Sequence, residues 1–429
     1  MRSSLEAVGC DVPSTLPYLL TLLGVADTTG ALAQLEPLAI QKRTFAAMRA
    51  MITHASRQAL VIIELEDLHW IDETSEGFLA ALVEAIPAAR ILLLLTYRAG
   101  YQPRWMDKSY ATQIALRQLT SADSQTLVGG ILRRARLNES LAPGIVEKAE
   151  GNPFFLEELA QSVLERGHEA ETSVPDSIQG LIAARIDRLP PEHKRLLQSA
   201  SVLGRSFPLA LLEAIWDRPA PAVPLLEDLK RWEFLFEEPA PGDLSFAFKH
   251  NLTQEVAYQT LLTQRRRALH LATAQALERL HGGHLEEVYD RLADHYPRAG
   301  DSEKTVHYLS LFAHKSAGIY AHAEAAKALR EALTQAAQLP VTLRDRRTIE
   351  LLLQLAESLL PLARFPETLT LFLAHQDRLE ALGDPKLSGP YHFWLAHTYS
   401  YLGRQDEAAA SAERAVAAVA RLDADQFGK

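Results

Sequence analysis

The sequence predicts an α/β domain, then a mainly helical region carrying a small hairpin, then an α-solenoid. Three observations lead there. Two apolar strands flank a helical segment near the N-terminus, strand signals almost vanish after Glu157, and a helix-turn-helix pattern recurs beyond Val288. The corresponding segments are 1–150, 151–285 and 286–429.

In the first segment, Phe45, Met48 and Ile52 recur at helical spacing within Ile40 to Ile52. The run Val61 to Leu65 then reads as a strand that ends in Glu66 and Asp67. Strand alternation places Glu64 and Glu66 on one face and Leu65 and Asp67 on the other, so Glu64 is an acid inside an otherwise apolar strand. A helix follows from Glu73 to Ile86, stopped by Pro87. Ile91 to Thr96 is a continuous apolar run of the kind a parallel strand buried on both faces requires. A short strand at Ile114 to Leu116 is expected next, and helices near Ser121 to Arg136 and Leu141 to Glu150. Gly151-Asn-Pro-Phe-Phe155 joins two helices, with glycine past the end of one and proline in the first turn of the next.

The second segment reads as helices near Ile178–Arg188, Pro191–Leu203, Leu209–Trp216 and Val223–Trp232. Two short strands, Phe234–Glu237 and Leu244–Phe248, are joined across Pro239-Ala-Pro-Gly-Asp243. Helices followed by such a hairpin suggest a winged-helix fold. That fold often reads DNA, but Glu213, Asp217, Glu227 and Asp228 load its helices with acid, which argues against nucleic acid.

The third segment carries three Glu-Ala-like steps, Glu324-Ala325, Glu367-Thr368 and Glu407-Ala408, spaced by 43 and 40 residues. Tetratricopeptide units run to about 34 residues, so these are lengthened tetratricopeptide-like repeats. Each pair buries its apolar face on the next, and Leu402-Gly403-Arg404 turns the last one. Such an array binds protein partners, and self-association is a second use of it.

Composition bounds the rest. The 429 residues are 48% hydrophobic and 23% charged, ordinary for a multidomain globular protein. Lys plus Arg number 44 against 54 Asp plus Glu, a net charge of -10 that disfavours broad phosphate-backbone binding. The single Cys10 excludes an internal disulfide framework and fits a reducing compartment. No basic leader with an apolar core opens the chain, and Ile91–Leu95 is too short to span a membrane, so the expected location is cytoplasmic. His281-Gly-Gly-His284 with His295 is expected to be solvated rather than metal-binding, and Arg265-Arg-Arg267 to be a solvated or acid-pairing face.

Carboxylates at the end of a buried strand hold Mg²⁺ and orient water in nucleotide-hydrolysing α/β domains. Arg98, at the end of the second strand, suits a terminal phosphate. The companion glycine-rich loop G-x-x-x-x-G-K-[ST] occurs nowhere from Met1 to Lys429.

Five motifs in order resemble the STAND class of signal-transduction ATPases, in particular cytosolic regulators that often carry an adenylate or guanylate cyclase domain upstream. They are Glu66-Asp-Leu-His-Trp-Ile-Asp72, Leu95-Thr-Tyr-Arg98, Glu150-Gly-Asn-Pro-Phe-Phe-Leu-Glu-Glu-Leu159, Ala184-Arg-Ile-Asp-Arg-Leu-Pro190 and Phe248-Lys-His-Asn-Leu-Thr-Gln-Glu-Val-Ala-Tyr258. The likeness continues through Leu292-Ala-Asp-His-Tyr296 into the repeats. It implies a partial P-loop-type nucleotide-binding domain whose phosphate loop would precede residue 1. Glu66 and Asp67 match the Walker B acids that serve Mg²⁺ and activate water. Arg98 matches the arginine that senses the γ-phosphate, Pro153 the proline near the adenine, and His250 the winged-helix histidine on the β-phosphate of ADP. The implied cofactors are ATP or ADP with Mg²⁺, and the implied mechanism is a switch in which ADP holds two domains together and ATP releases them. Glu64 departs from the aliphatic residue usual at its position. The expectation is therefore a fragment or a degenerate copy with very weak nucleotide affinity alone, and the competing reading is a non-enzymatic scaffold built on a relic nucleotide domain.

Overall fold

The computed structural model describes residues 1–23, 32, 35, 37–134, 139–166, 177–240 and 243–421. The chain forms two compact units. One combines Met1–Gln113 with Ser302–Lys429, and the other is Ile114–Asp301.

In the first unit, the amphipathic helix Pro37–Gln58 leads into β1 (Val61–Leu65), and the helix Glu73–Val83 connects β1 to β2 (Ile91–Leu95). The strands are parallel, with Val61 opposite Ile91 and Leu65 opposite Leu95. One sheet face packs on a core that includes Leu68, Leu79, Leu82 and Trp105. Phe45 of the long helix meets Phe78 edge-on at 5.6 Å.

The other sheet face is not covered as a doubly buried parallel strand would be. Ile62, Leu92 and Leu94 are exposed. Glu64 shares this face, so its charge stays in water and no buried acid has to be accommodated.

The segment Ser302–Lys429 contributes the helices Ser302–Gly318, His322–Ala336, Val341–Leu359, Phe365–Leu382, Pro385–Tyr401 and Gln405–Val419. The three Glu-Ala-like steps all fall in the first turn of the second helix of a pair. Ala325, Thr368 and Ala408 are buried there, because a small side chain lets the neighbouring helix approach. The glutamates favour the positive end of the helix, and two are held by the preceding arginine, Arg364 on Glu367 at 2.7 Å and Arg404 on Glu407 at 2.5 Å. Gly403 has φ 76°, and the following Arg404 N–H donates back to the Tyr399 carbonyl at 2.9 Å. This is a left-handed helix stop.

The second unit is helical around a three-stranded antiparallel sheet of β3 (Ser206–Pro208), β4 (Leu235–Ala240) and β5 (Asp243–Phe248), ordered β3-β5-β4. The two hairpin strands pair with Leu235 opposite Phe248, while residues 241–242 of the turn lie outside the described residues. The short β3, with Phe207 opposite Phe246, was not expected from sequence. Ile114–Leu116 is not a strand, and Ile114 and Leu116 are 78% and 93% exposed. Two apolar side chains without a paired neighbour have no ladder to make them strand. Among the described residues, no helix is long and apolar enough to cross a membrane.

Candidate functional site

The acidic end of β1 opens on a cavity of about 510 Å³. Glu66, Asp67 and Asp72 line it together with apolar Phe78 and Leu79, and Trp70, 78% exposed, stands at its wall.

Local geometry holds these groups. Asp67 has φ 54° and ψ 41°, a left-handed conformation that a non-glycine residue adopts only where its surroundings require it. Thr96 is the residue that fixes it. Its hydroxyl accepts from the Asp67 N–H at 3.1 Å and its carbonyl accepts from the Leu68 N–H at 2.8 Å, while its own N–H donates to the Leu65 carbonyl at 3.0 Å. The chain thereby turns out of the strand into the short 3₁₀ turn Leu68–Trp70.

Asp72 caps the helix that follows, its carboxylate accepting from the Ser75 N–H at 2.8 Å. Burial disfavours its charged form, but the Ser75 hydrogen bonds and a contact with Glu324 outweigh that and hold the carboxyl below its ordinary value. Glu324 is raised by burial and by sharing with Asp72, and it also accepts from the Thr74 hydroxyl at 3.3 Å. His69 packs on Trp70 at 5.2 Å with both ring nitrogens buried and without a hydrogen-bond partner.

Two adjacent carboxylates are hard oxygen donors, of the kind Mg²⁺ takes while keeping part of its water shell and accepting phosphate oxygens. They fit that ion only together with a phosphate. Among the described residues, no group of three or more His, Cys, Asp or Glu could hold a metal without one. Arg98 follows β2 and is exposed, its carbonyl accepting from the Tyr101 N–H at 3.3 Å. It is not among the residues that line the cavity.

Pro153 and His250 belong to the second unit. Gly151 has φ 77°, and its carbonyl accepts from the Leu119 N–H at 2.8 Å. A Cβ on Gly151 would lie 2.4 Å from the Leu119 carbonyl oxygen, so only glycine fits. Asn152 caps the next helix by accepting from the Phe155 N–H at 3.2 Å, and Pro153 is its first residue. His250 precedes the helix Asn251–Gln259, and its ring lies 4.2 Å from the Phe154 ring. Burial lowers its pKa against the opposing pull of Glu158, and Nε2 is buried without a partner.

Glu158 and Arg185 lie inside two of the sequence motifs, and no sequence pattern marks them as partners. They form a buried ion pair at 2.5 Å, with side chains only 7% and 3% exposed. Arg185 also donates to the Trp232 carbonyl at 3.1 Å and lies over the Phe234 ring at 4.7 Å. Two charges in separated helical motifs carry no periodic signal of pairing. The contact exists only in the folded unit.

Of the remaining histidine and basic motifs, the first departs from expectation and the second follows it in part. His295 is not solvated, being 4% exposed and bonded to His270. Arg265 reaches Asp217 at 3.5 Å, as an acid-pairing face would, whereas Arg266 lies 4.4 Å over the Tyr258 ring.

No protein-family model matches the chain. It is 27% identical over 348 residues to an uncharacterized protein of Rhizobium meliloti (strain 1021), covering 78% of this chain and 33% of that protein. The chain thus spans only that fraction of the relative's length. Among solved structures it is similar, with TM-score 0.44 and 15% identity, to a Signal Transduction ATPase with Numerous Domains (STAND) protein with a tetratricopeptide repeat sensor from Pyrococcus horikoshii. That alignment covers 97% of this chain and 62% of the other.

Proposed function

We propose that this chain is the regulatory part of a STAND-class signal-transduction ATPase, of the type associated with nucleotide cyclases. In this reading it is a switch set by ATP or ADP and coupled to a protein-binding helical array. The observation that carries the reading is the Glu66–Asp67 pair, held in a fixed turn at the end of β1 on the cavity it lines. The ordered motifs support it.

In this reading Glu66 and Asp67 would hold the Mg²⁺ that accompanies nucleotide, and the ion would supply charge neutralisation at the phosphates. Asp67, in its left-handed turn, would help activate a water. By the resemblance Arg98 would take the terminal phosphate, and in the second unit Pro153 would take the base and His250 the diphosphate. The domains follow the sequence division at 150/151 and 285/286, and the repeats bind the protein partner. A nucleotide shifts the switch only by its difference in affinity for the two states, and a histidine that contacts the phosphates in one state alone supplies that difference.

Residues 1–429 contain no glycine-lysine phosphate loop, so affinity of the chain alone is expected to be in the millimolar range, about 4 kcal/mol of binding. The missing loop also favours the second reading, a protein scaffold without nucleotide chemistry. Titration with Mg-ATP and Mg-ADP, followed by tryptophan emission with Trp70→Phe as control, separates the two. The switch reading expects a saturable response that Asp67→Asn weakens. A flat titration at high millimolar nucleotide rejects it in favour of the scaffold.

A further inference from the structure

A second cavity, of about 400 Å³, lies wholly within the second unit. The C-terminal end of the helix Pro191–Leu203, the helix Asn251–Gln259 and the helix Tyr289–Ala299 converge on it. Its volume falls at the small end of the range of ligand pockets, about 300–1,000 Å³.

The charges that line it are unevenly matched. Asp294 and Arg298 neutralise each other in an ion pair at 2.7 Å. Arg291, Glu255 and Asp290 also line the cavity, and none of the hydrogen bonds or ion pairs among the described residues uses their side chains. Arg291 is half-buried, and burial works against its charge while neighbouring Asp290 supports it. A guanidinium taken partly out of water without a bonded partner is a receptor for a carboxylate. Glu255 and Asp290 supply the opposite requirement, a cation. A simple anion satisfies Arg291 but meets Glu255 and Asp290, and a simple cation leaves the guanidinium without a bonded partner.

An imidazole lines the same space. His295 lines the cavity, and its Nδ1 is 2.8 Å from Nδ1 of His270, whose Nε2 is 2.9 Å from the Tyr258 hydroxyl. When the Tyr258 hydroxyl donates to His270 and His270 donates to His295, the remaining proton of His295 sits on Nε2 and is available as a donor beside Arg291. His270 is fully buried, so this relay is preorganised from behind.

We propose that this cavity binds a free α-amino acid, with its carboxylate on Arg291 and the His295 Nε2–H and its ammonium between Glu255 and Asp290. The site is independent of the nucleotide reading. The sensor function it adds is recognition of a small zwitterion by helices of the second unit.

The test uses the full chain. Each standard L-amino acid is screened at millimolar concentration by thermal shift, and the strongest is titrated calorimetrically beside acetate and methylammonium as single-charge probes. At least one amino acid is expected to raise the melting temperature and bind at least about tenfold more tightly than either probe, a difference of about 1.4 kcal/mol. Arg291→Gln and Glu255→Gln are each expected to weaken that binding by about tenfold or more. Glu255 is exposed, so its variant retains the fold if Arg291→Gln does not. Nitrogen chemical shifts of the His295 ring should move on binding. The proposal is overturned if no amino acid binds, if acetate or methylammonium binds as tightly, or if binding survives Glu255→Gln unchanged.

Discussion

Gly151 shows how a single backbone position sets a side-chain site. Its φ of 77° and the 2.4 Å approach a Cβ would make to the Leu119 carbonyl leave no room for alanine. Gly151→Ala should cost about 2–4 kcal/mol, combining left-handed strain with local overpacking, read as a loss in chemical denaturation. A loss below half of that would mean the turn readily shifts. Asp72 acts at the same scale. Asp72→Ala removes the cap on the Glu73–Val83 helix and should cost about 1 kcal/mol, with faster amide exchange at Ser75 as its local signature. The paired histidines add a pH dependence. Burial lowers His270 from 6.5 to about 4 and His295 to about 3. Between pH 6.5 and about 4 the unfolded chain therefore binds more protons than the folded one. Stability is full above that window and falls as pH drops through it. Denaturation midpoints measured across the window should decline, and His270→Phe should flatten the slope; an unchanged slope would show that other groups carry it.

Among the elements, the buried Glu158–Arg185 pair joins the helix Pro153–Arg166 to the helix Ile178–Asp187 and, through Trp232 and Phe234, to the start of the hairpin. Removing one partner strands the other charge out of water. Arg185→Met should cost about 3–5 kcal/mol, and the double variant with Glu158→Leu should recover much of it. Equal losses in the single and double variants would show that the pair itself is not the stabilising element. The β1–β2 sheet behaves differently, because one of its faces is open. Ile62→Lys and Leu92→Lys should change stability by no more than about 0.5 kcal/mol and lower light scattering on concentration. A large loss of stability would mean that face is covered.

For the molecule as a whole, the first unit is assembled from both ends of the chain. Tyr320 packs against the core around Leu5, Leu19 and Ile40, and Thr74 donates to Glu324 across 250 positions of sequence. Secondary structure alone does not set such an arrangement. The acid-lined cavity and the zwitterion cavity fall in different units. Each is therefore testable through substitutions confined to its own unit.

Local physics made much of this readable before any coordinates. Alternation and apolar runs located β1 and β2, the Pro-Gly turn located the hairpin, and a small residue after glutamate marked each repeat. The strand-end acids were legible because an ionised side chain must leave an apolar strand where it ends. The exposure of one sheet face was not, since a continuous apolar run looks the same whether covered once or twice. Nor was Thr96 as the residue holding Asp67, the Glu158–Arg185 pair, or the burial of His295 against His270. Sequence alone located most of the helices and strands, though neither β3 nor the loop conformation of Ile114–Leu116, because those preferences act over a few neighbours. Tertiary structure decided which charges meet, which imidazole is dry and which apolar surface remains open, because those outcomes depend on groups brought together from distant parts of the chain.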